Sequence, residues 1–201
     1  MAKTTPNHTQ TVSGWAAHDS SGKITPYTFK RRENGVTDVT IKILYCGICH
    51  TDVHHAKDDW GITMYPVVPG HEITGVITKV GSDVEGFKEG DKVGVGCLAA
   101  SCLDCEYCKT DQENYCEKLQ FVYNGIFWDG SITYGGYSQM LVVDYRYVGS
   151  AQNLSNSNFI TTLNLILNVT FFFCYLIIFY HVIVLSQRMN IIFLTQDKKS
   201  N

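Results

Sequence analysis

The sequence predicts a mainly β chain with short helices, built as a barrel-like domain over residues 1–150 and followed by a tail, 151–201, of a different character. Three observations carry this expectation. Short segments with the period of half-buried strands recur at close spacing, and glycines mark the turns between them. After Arg146, moreover, no Asp, Glu, Lys or Arg occurs until Arg188, so the mixed charge pattern of the first part stops.

The elements follow in chain order. VTDVTIKILYC (36–46) alternates around Val39, Ile41, Ile43 and Tyr45, which turns one face of a strand toward a core. HTDVHHAKDD, beginning at His50, suits a short helix. ITGVITKV (73–80) continues the two-residue period through Ile73, Gly75 and Ile77 before a turn at GSD. DKVGVGC, after the turn signals of EGFKEGD, and YGGYSQMLVVD, opened by Gly135 and Gly136, supply two more strands. GVGCLA (94–99) matches G-x-G-x-x-A, but a cysteine-rich segment follows it where a dinucleotide fingerprint needs a helix, so the match reads as coincidence.

With 201 residues, 45% apolar, 17% charged and a net charge of -3, the chain holds one ordinary domain and a remainder. That charge gives no electrostatic case for nucleic acid or an anionic membrane surface. AQNLSNSN (151–158) has the composition of a linker. LNLILNVTFFFCYLIIFYHVIVL (163–185) is apolar except at Asn164, Asn168, Thr170 and His181, and a helical span needs about 20 such residues. A transmembrane segment and a buried helix or strand pair are both open readings of it. Arg188, Lys198 and Lys199 beyond it lean toward a cytoplasmic C-terminus for the first of these.

Eight cysteines are unusual, and five lie between 97 and 116. MAKTTPNHTQTVSG at the N-terminus has no apolar core of a secretory signal, so clustered thiols point to metal binding before disulfides. Cys102, Cys105, Cys108 and Cys116 have the spacing C-x2-C-x2-C-x7-C. Four thiolates so close together can close a tetrahedron around Zn²⁺ and leave no open position, which defines a structural site. CGICHTDVHH (46–55) is a second thiol and imidazole cluster. A catalytic zinc needs three protein ligands and one open position, and Cys49 with His71 would supply two. Glu72, beside that histidine, suits an alternate ligand or a neighbour that tunes the charge of the metal.

GHEITGVITKVGSDV (70–84) resembles the zinc signature G-H-E-x2-G-x5-G-x2-V of the medium-chain alcohol dehydrogenases, with CGICHTDVH upstream and the four-cysteine lobe downstream in the same order. YPVVPGHE, GDKVGVG, ENYC and YGGYSQ are similar to the plant cinnamyl alcohol, mannitol and 8-hydroxygeraniol dehydrogenase group. The likeness runs from about Trp15 to about Val148. It implies a GroES-like barrel catalytic domain and a Rossmann domain for NADP(H), which the remaining residues cannot supply and which is therefore missing.

By the same resemblance Cys49, directly before the His-Thr-Asp run, is the first ligand of the catalytic zinc in preference to Cys46, and His71 is the second. The family's third ligand is a cysteine in a PLLCAG-like helix beyond the end of the likeness; Cys174, inside the apolar run, reads instead as a buried or lipid-facing thiol. Thr51 is implied to hydrogen-bond the substrate oxygen, His54 to continue a proton relay, His50 to approach the cofactor pyrophosphate and Asp52 to support the zinc. His55 is left as a surface histidine. Trp60, Cys97 and Phe121 fall on positions lining the substrate cleft; Phe121 replaces the tryptophan of lignin-forming relatives, which favours a terpenoid or small aromatic aldehyde.

The implied chemistry is Lewis-acid catalysis, in which zinc lowers the pKa of a bound hydroxyl toward about 7 so that hydride can pass to a nicotinamide. A small alcohol or aldehyde is the expected partner and the cytoplasm the expected location, unless 163–185 inserts in a membrane. Relatives tend to dimerise through the domain expected to be missing here, so the resemblance carries no oligomeric state over to this chain. The change after Val148 is expected to mark loss of downstream coding sequence, leaving an N-terminal fragment inactive by itself. The expectation from another class is a non-catalytic zinc-binding module, tethered to a membrane by its tail.

Overall fold

The computed structural model describes residues 10–150; the apolar segment 163–185 and Cys174 lie outside the described residues. In chain order the elements are β1 (Gln10–Ala17), β2 (Ile24–Arg31), β3 (Asp38–Cys46), α1 (His50–Lys57), β4 (Ile73–Val80), β5 (Lys92–Val95), β6 (Leu98–Ala100), α2 (Glu106–Lys109), β7 (Gln120–Phe121), β8 (Met140–Asp144) and β9 (Val148–Ser150). Strands thus dominate and the helices are short, as the sequence predicts. Among the described residues no helix is long and apolar enough to cross a membrane.

Five strands form one sheet in the order β8-β3-β4-β5-β9. Its outer strands are consecutive in the chain, joined only through the 3-10 turn Tyr145–Tyr147. Four residue steps from Asp144 to Val148 can span at most roughly 14 Å, whereas the edges of a flat five-stranded sheet lie roughly 19 Å apart. The sheet must therefore curl, and its concave side holds Val39, Ile41, Ile73, Ile77, Val93, Leu141 and Val143 in one buried cluster. All strand pairings are antiparallel, and the described residues contain no βαβ unit. GVGCLA runs from β5 into β6 with no helix behind it, so it lacks the context of a dinucleotide fingerprint.

The alternation in β3 holds at Val39 and Ile41, both fully buried, but fails at Tyr45, which is 44% exposed. Register shifts in the pairing of β3 with β4 fall between Thr40 and Ile41 and between Ile43 and Tyr45. A one-residue slip moves a side chain to the other face, and that overturns the inward placement of Tyr45. The hairpin β1–β2 closes a second small core of Val12, Ala16, Phe29, Val68 and Tyr134.

Candidate functional site

The first cluster is the lobe between β6 and β7, whose antiparallel pairing closes the loop at its base. Between Cys102 and Cys116 only Cys108 and Cys116 are buried, so the lobe has almost no apolar interior. Its four sulfurs lie within 4.8 Å of one another. Cys102 to Cys108 is 3.9 Å, Cys105 to Cys108 3.4 Å and Cys102 to Cys116 3.5 Å. A tetrahedron with Zn–S bonds of about 2.3 Å has edges of about 3.8 Å, so the donor set fits that ion. Backbone N–H groups of Asp104 and Cys105 point at Cys102 Sγ and bring its pKa down to about 6, which favours the thiolate a metal needs.

The second cluster draws on separate elements. Cys49 is the N-cap of α1, and His71 and Glu72 precede β4. Their donor atoms also lie within 4.8 Å of one another. Glu72 Oε2 is buried without a hydrogen-bond partner among the described residues, and burial raises the pKa of its carboxyl. A buried orphan carboxylate oxygen beside a thiol and an imidazole has the chemistry of a cation site. Gly47 makes room for it: a Cβ there would collide with Glu72 Oε2, while Gly47 N donates to the Glu72 carbonyl at 2.9 Å.

Asp52, 2% exposed, organises this cluster. Its carboxylate receives the N–H of Cys49 (2.9 Å), the N–H of Gly70 (2.9 Å) and the hydroxyl of Tyr137 (3.1 Å), and it meets His71 Nδ1 at 3.2 Å. Burial opposes its charge, yet the bonds to His71 and these donors outweigh burial and lower its pKa. With Nδ1 facing Asp52, His71 keeps Nε2 for a metal, the arrangement that fixes a ligand imidazole's tautomer. Burial disfavours the His71 imidazolium, but the bonds to Asp52 and Cys49 prevail and push its pKa up to about 10. His71 in turn, followed by the backbone and side chain of Thr51, lowers the pKa of Cys49 toward the thiolate. Gly70 sits at φ +103, and a Cβ there would strike Cys46 Sγ and Tyr137, so the glycine before the histidine is required by both conformation and space.

Of the other residues singled out in the sequence, Thr51 follows Cys49 by two positions at the start of α1, on the side that lowers the pKa of that thiol. His54 pairs through Nδ1 with Asp59 Oδ2 at 2.8 Å and stacks near His50 (ring centroids 4.6 Å) and Trp60 (4.9 Å). His55 is not a surface residue. It is half-buried between Trp60 and Tyr123 at 5.0 and 5.1 Å and faces the Asn124 amide, because α1 turns this side toward the segment after β7. Trp60 and Phe121 are each 49% exposed. Cys97 is exposed; Val122 N donates to its carbonyl at 3.0 Å and Leu98 pairs with Phe121, which places Cys97 near Phe121. Sequence reading missed Tyr123, whose ring lies 6.0 Å from His71 at 29°, and Tyr137, whose hydroxyl reaches Asp52; neither carries a local signal.

A curled antiparallel sheet that brings together a cysteine, a histidine and a glutamate beside a separate four-cysteine lobe defines the class, a mainly β domain with two side-chain clusters suited to a metal ion. Residues 35–153 match the alcohol dehydrogenase GroES-like domain, and the chain belongs to this family. It is 75% identical over 144 residues to the rice protein "Probable cinnamyl alcohol dehydrogenase 6", covering 72% of this chain and 40% of that protein. A cinnamyl alcohol dehydrogenase structure from Sorghum bicolor superposes with a TM-score of 0.70 at 51% identity, over 73% of this chain and 42% of that one. A Helicobacter pylori structure of the same kind, complexed with NADP(H), gives 0.69 at 44% identity over 72% and 43% of the two chains. The chain thus spans about two fifths of the length of these relatives.

Proposed function

We propose that residues 10–150 are the catalytic-domain portion of a zinc-dependent, NADP(H)-linked alcohol dehydrogenase that interconverts small alcohols and aldehydes of the cinnamyl or a related class. The convergence of Cys49, His71 and Glu72 within 4.8 Å carries this reading, because three such donors would hold a zinc ion and leave one side of it open to substrate, in contrast to the four-sulfur lobe. That open side, and the supply of relatives with dehydrogenase names, weigh against a purely structural zinc module.

Zinc, when held by this set, would supply Lewis-acid polarisation of a substrate oxygen. The chain's own residues do the rest. Asp52 orients His71 and, with Thr51, fixes Cys49 at the helix start. Thr51 and His54 are placed one helical turn apart for passing a proton, and His54 Nδ1 against the exposed Asp59 gives that path an outlet to solvent. Trp60, Cys97 and Phe121 are the proposed cleft residues. Support for NADP(H) comes from the Helicobacter relative.

The experiment joins residues 1–152 of this chain to the remainder of the rice relative and follows NADPH-dependent reduction of cinnamaldehyde. Turnover that disappears in Cys49→Ser supports the reading. A folded, zinc-loaded chimera without turnover on cinnamyl or terpenoid aldehydes contradicts it.

A further inference from the structure

One side-chain amide ties α1 and the segment after it to the segment that follows β7. Asn124, half-buried, lies three residues beyond Phe121. Its chain neighbour is pinned on both sides: Gly125 N donates to Thr133 Oγ1 at 3.0 Å, and Thr133 N to the Gly125 carbonyl at 2.9 Å. The backbone of Asn124 is left-handed, at φ +55, a conformation that asparagine tolerates better than most residues. Its partners fix how the amide points. Met64 N donates to Oδ1 at 2.8 Å, which leaves Nδ2 to donate to the Ile62 carbonyl and to His55 Nδ1, both at 3.2 Å. Burial lowers the pKa of His55 and so favours the neutral ring that can accept this bond.

These partners bracket Trp60. Around it the chain closes on itself, with Thr63 N donating to Asp58 Oδ1 and Thr63 Oγ1 to the His55 carbonyl, each at 2.8 Å. Trp60 meets the His55 ring edge-on at 5.0 Å and 87°, and His55 in turn meets Tyr123 at 5.1 Å and 81°. Asn124 and His55 thus join the segment that carries Trp60 to the one that carries Phe121. Resting on the reading of Trp60 and Phe121 as cleft residues, we propose that Asn124 is a positioning residue for substrate choice. It sets the spacing of those two aromatic side chains, and through it the preference for a flat, conjugated aldehyde over a flexible aliphatic one. Aspartate could keep the bond from Met64, but it would set a carboxylate oxygen against the Ile62 carbonyl, so the tie requires an amide.

Two measurements test this. In the full chain labelled with 5-fluorotryptophan, Asn124→Gly accepts the left-handed backbone without strain. It should shift and broaden the Trp60 resonance, assigned with Trp60→Phe, and leave that of Trp15 in place. In the chimera with the rice relative, the same substitution should raise KM for cinnamaldehyde about tenfold and leave kcat, and KM for hexanal, within about twofold, because a bound ring loses its orientation while the chemistry is untouched. Asn124→Asp should act in the same direction, and it decides if the glycine variant does not fold. A residue needed only for stability would lower the melting midpoint and leave the ratio of the two aldehydes unchanged; that result, or an unmoved Trp60 resonance, overturns the proposal. If the unaltered chimera gives no turnover, the dehydrogenase reading fails separately, and the Trp60 resonance alone decides whether Asn124 holds the turn.

Discussion

The two metal clusters differ in how the chain builds them. The lobe takes its four sulfurs from fifteen consecutive residues, 102–116, and has almost no buried side chains besides two of those cysteines. The cluster of Cys49, His71 and Glu72 joins the start of α1 to the approach of β4, and a buried carboxylate holds it in register with the curled sheet. In the lobe a bound metal would have to make the structure. In the second cluster the structure makes the site, which can then leave a coordination position open for chemistry.

The largest expected effect separates the two. Cys102→Ser should release the lobe's zinc and open 103–115 to proteolysis, with a stability loss of about 3 kcal/mol or more, since metal binding supplies folding energy there. Cys49→Ser should leave the lobe protected; both outcomes are read by elemental analysis and limited digestion. Next comes Asp52→Asn. It removes the charge that accepts four bonds, so it should cost about 2–4 kcal/mol in denaturant unfolding and lower zinc affinity at the second cluster roughly 10–100-fold in chelator competition. If stability fell but affinity did not, Asp52 would be a packing residue alone.

Gly47→Ala sharpens the contrast further. Its methyl group meets the Glu72 carboxylate, and the expected loss is about 1–3 kcal/mol by thermal melting with the lobe's zinc retained. The smallest effect belongs to Leu103→Gly. Leu103 holds φ +56 inside the lobe, so glycine relieves a strained conformation and stability should change by less than about 1 kcal/mol. A large change there would mean that the Leu103 side chain, 39% exposed, contributes packing the contacts do not suggest.

Legibility followed the same division. The lobe could be read outright, because ligand spacing is local. Cys49 and His71 could be offered as partners from residue type, but choosing Cys49 over Cys46 took a resemblance, since 22 positions separate Cys49 from His71 in the chain. Tyr137 was out of reach: it lies 85 positions from the Asp52 it bonds, and no periodicity announces such a contact. Among the strands, β4 and β8 show apolar patterns, whereas β1 and β2 carry Gln, Thr, Ser and Lys on their outer positions and a proline, Pro26, inside the ladder. The expected inward Tyr45 failed because a register shift follows Ile43, a feature that alternation alone does not encode.

Elemental analysis of the full chain, purified under reducing conditions, bears most directly on this account. Zinc retained through dialysis against a weak chelator, lost in Cys102→Ser and kept in Cys49→Ser, is the result it predicts. A folded protein that holds no zinc, with residues 102–116 still ordered, would contradict it.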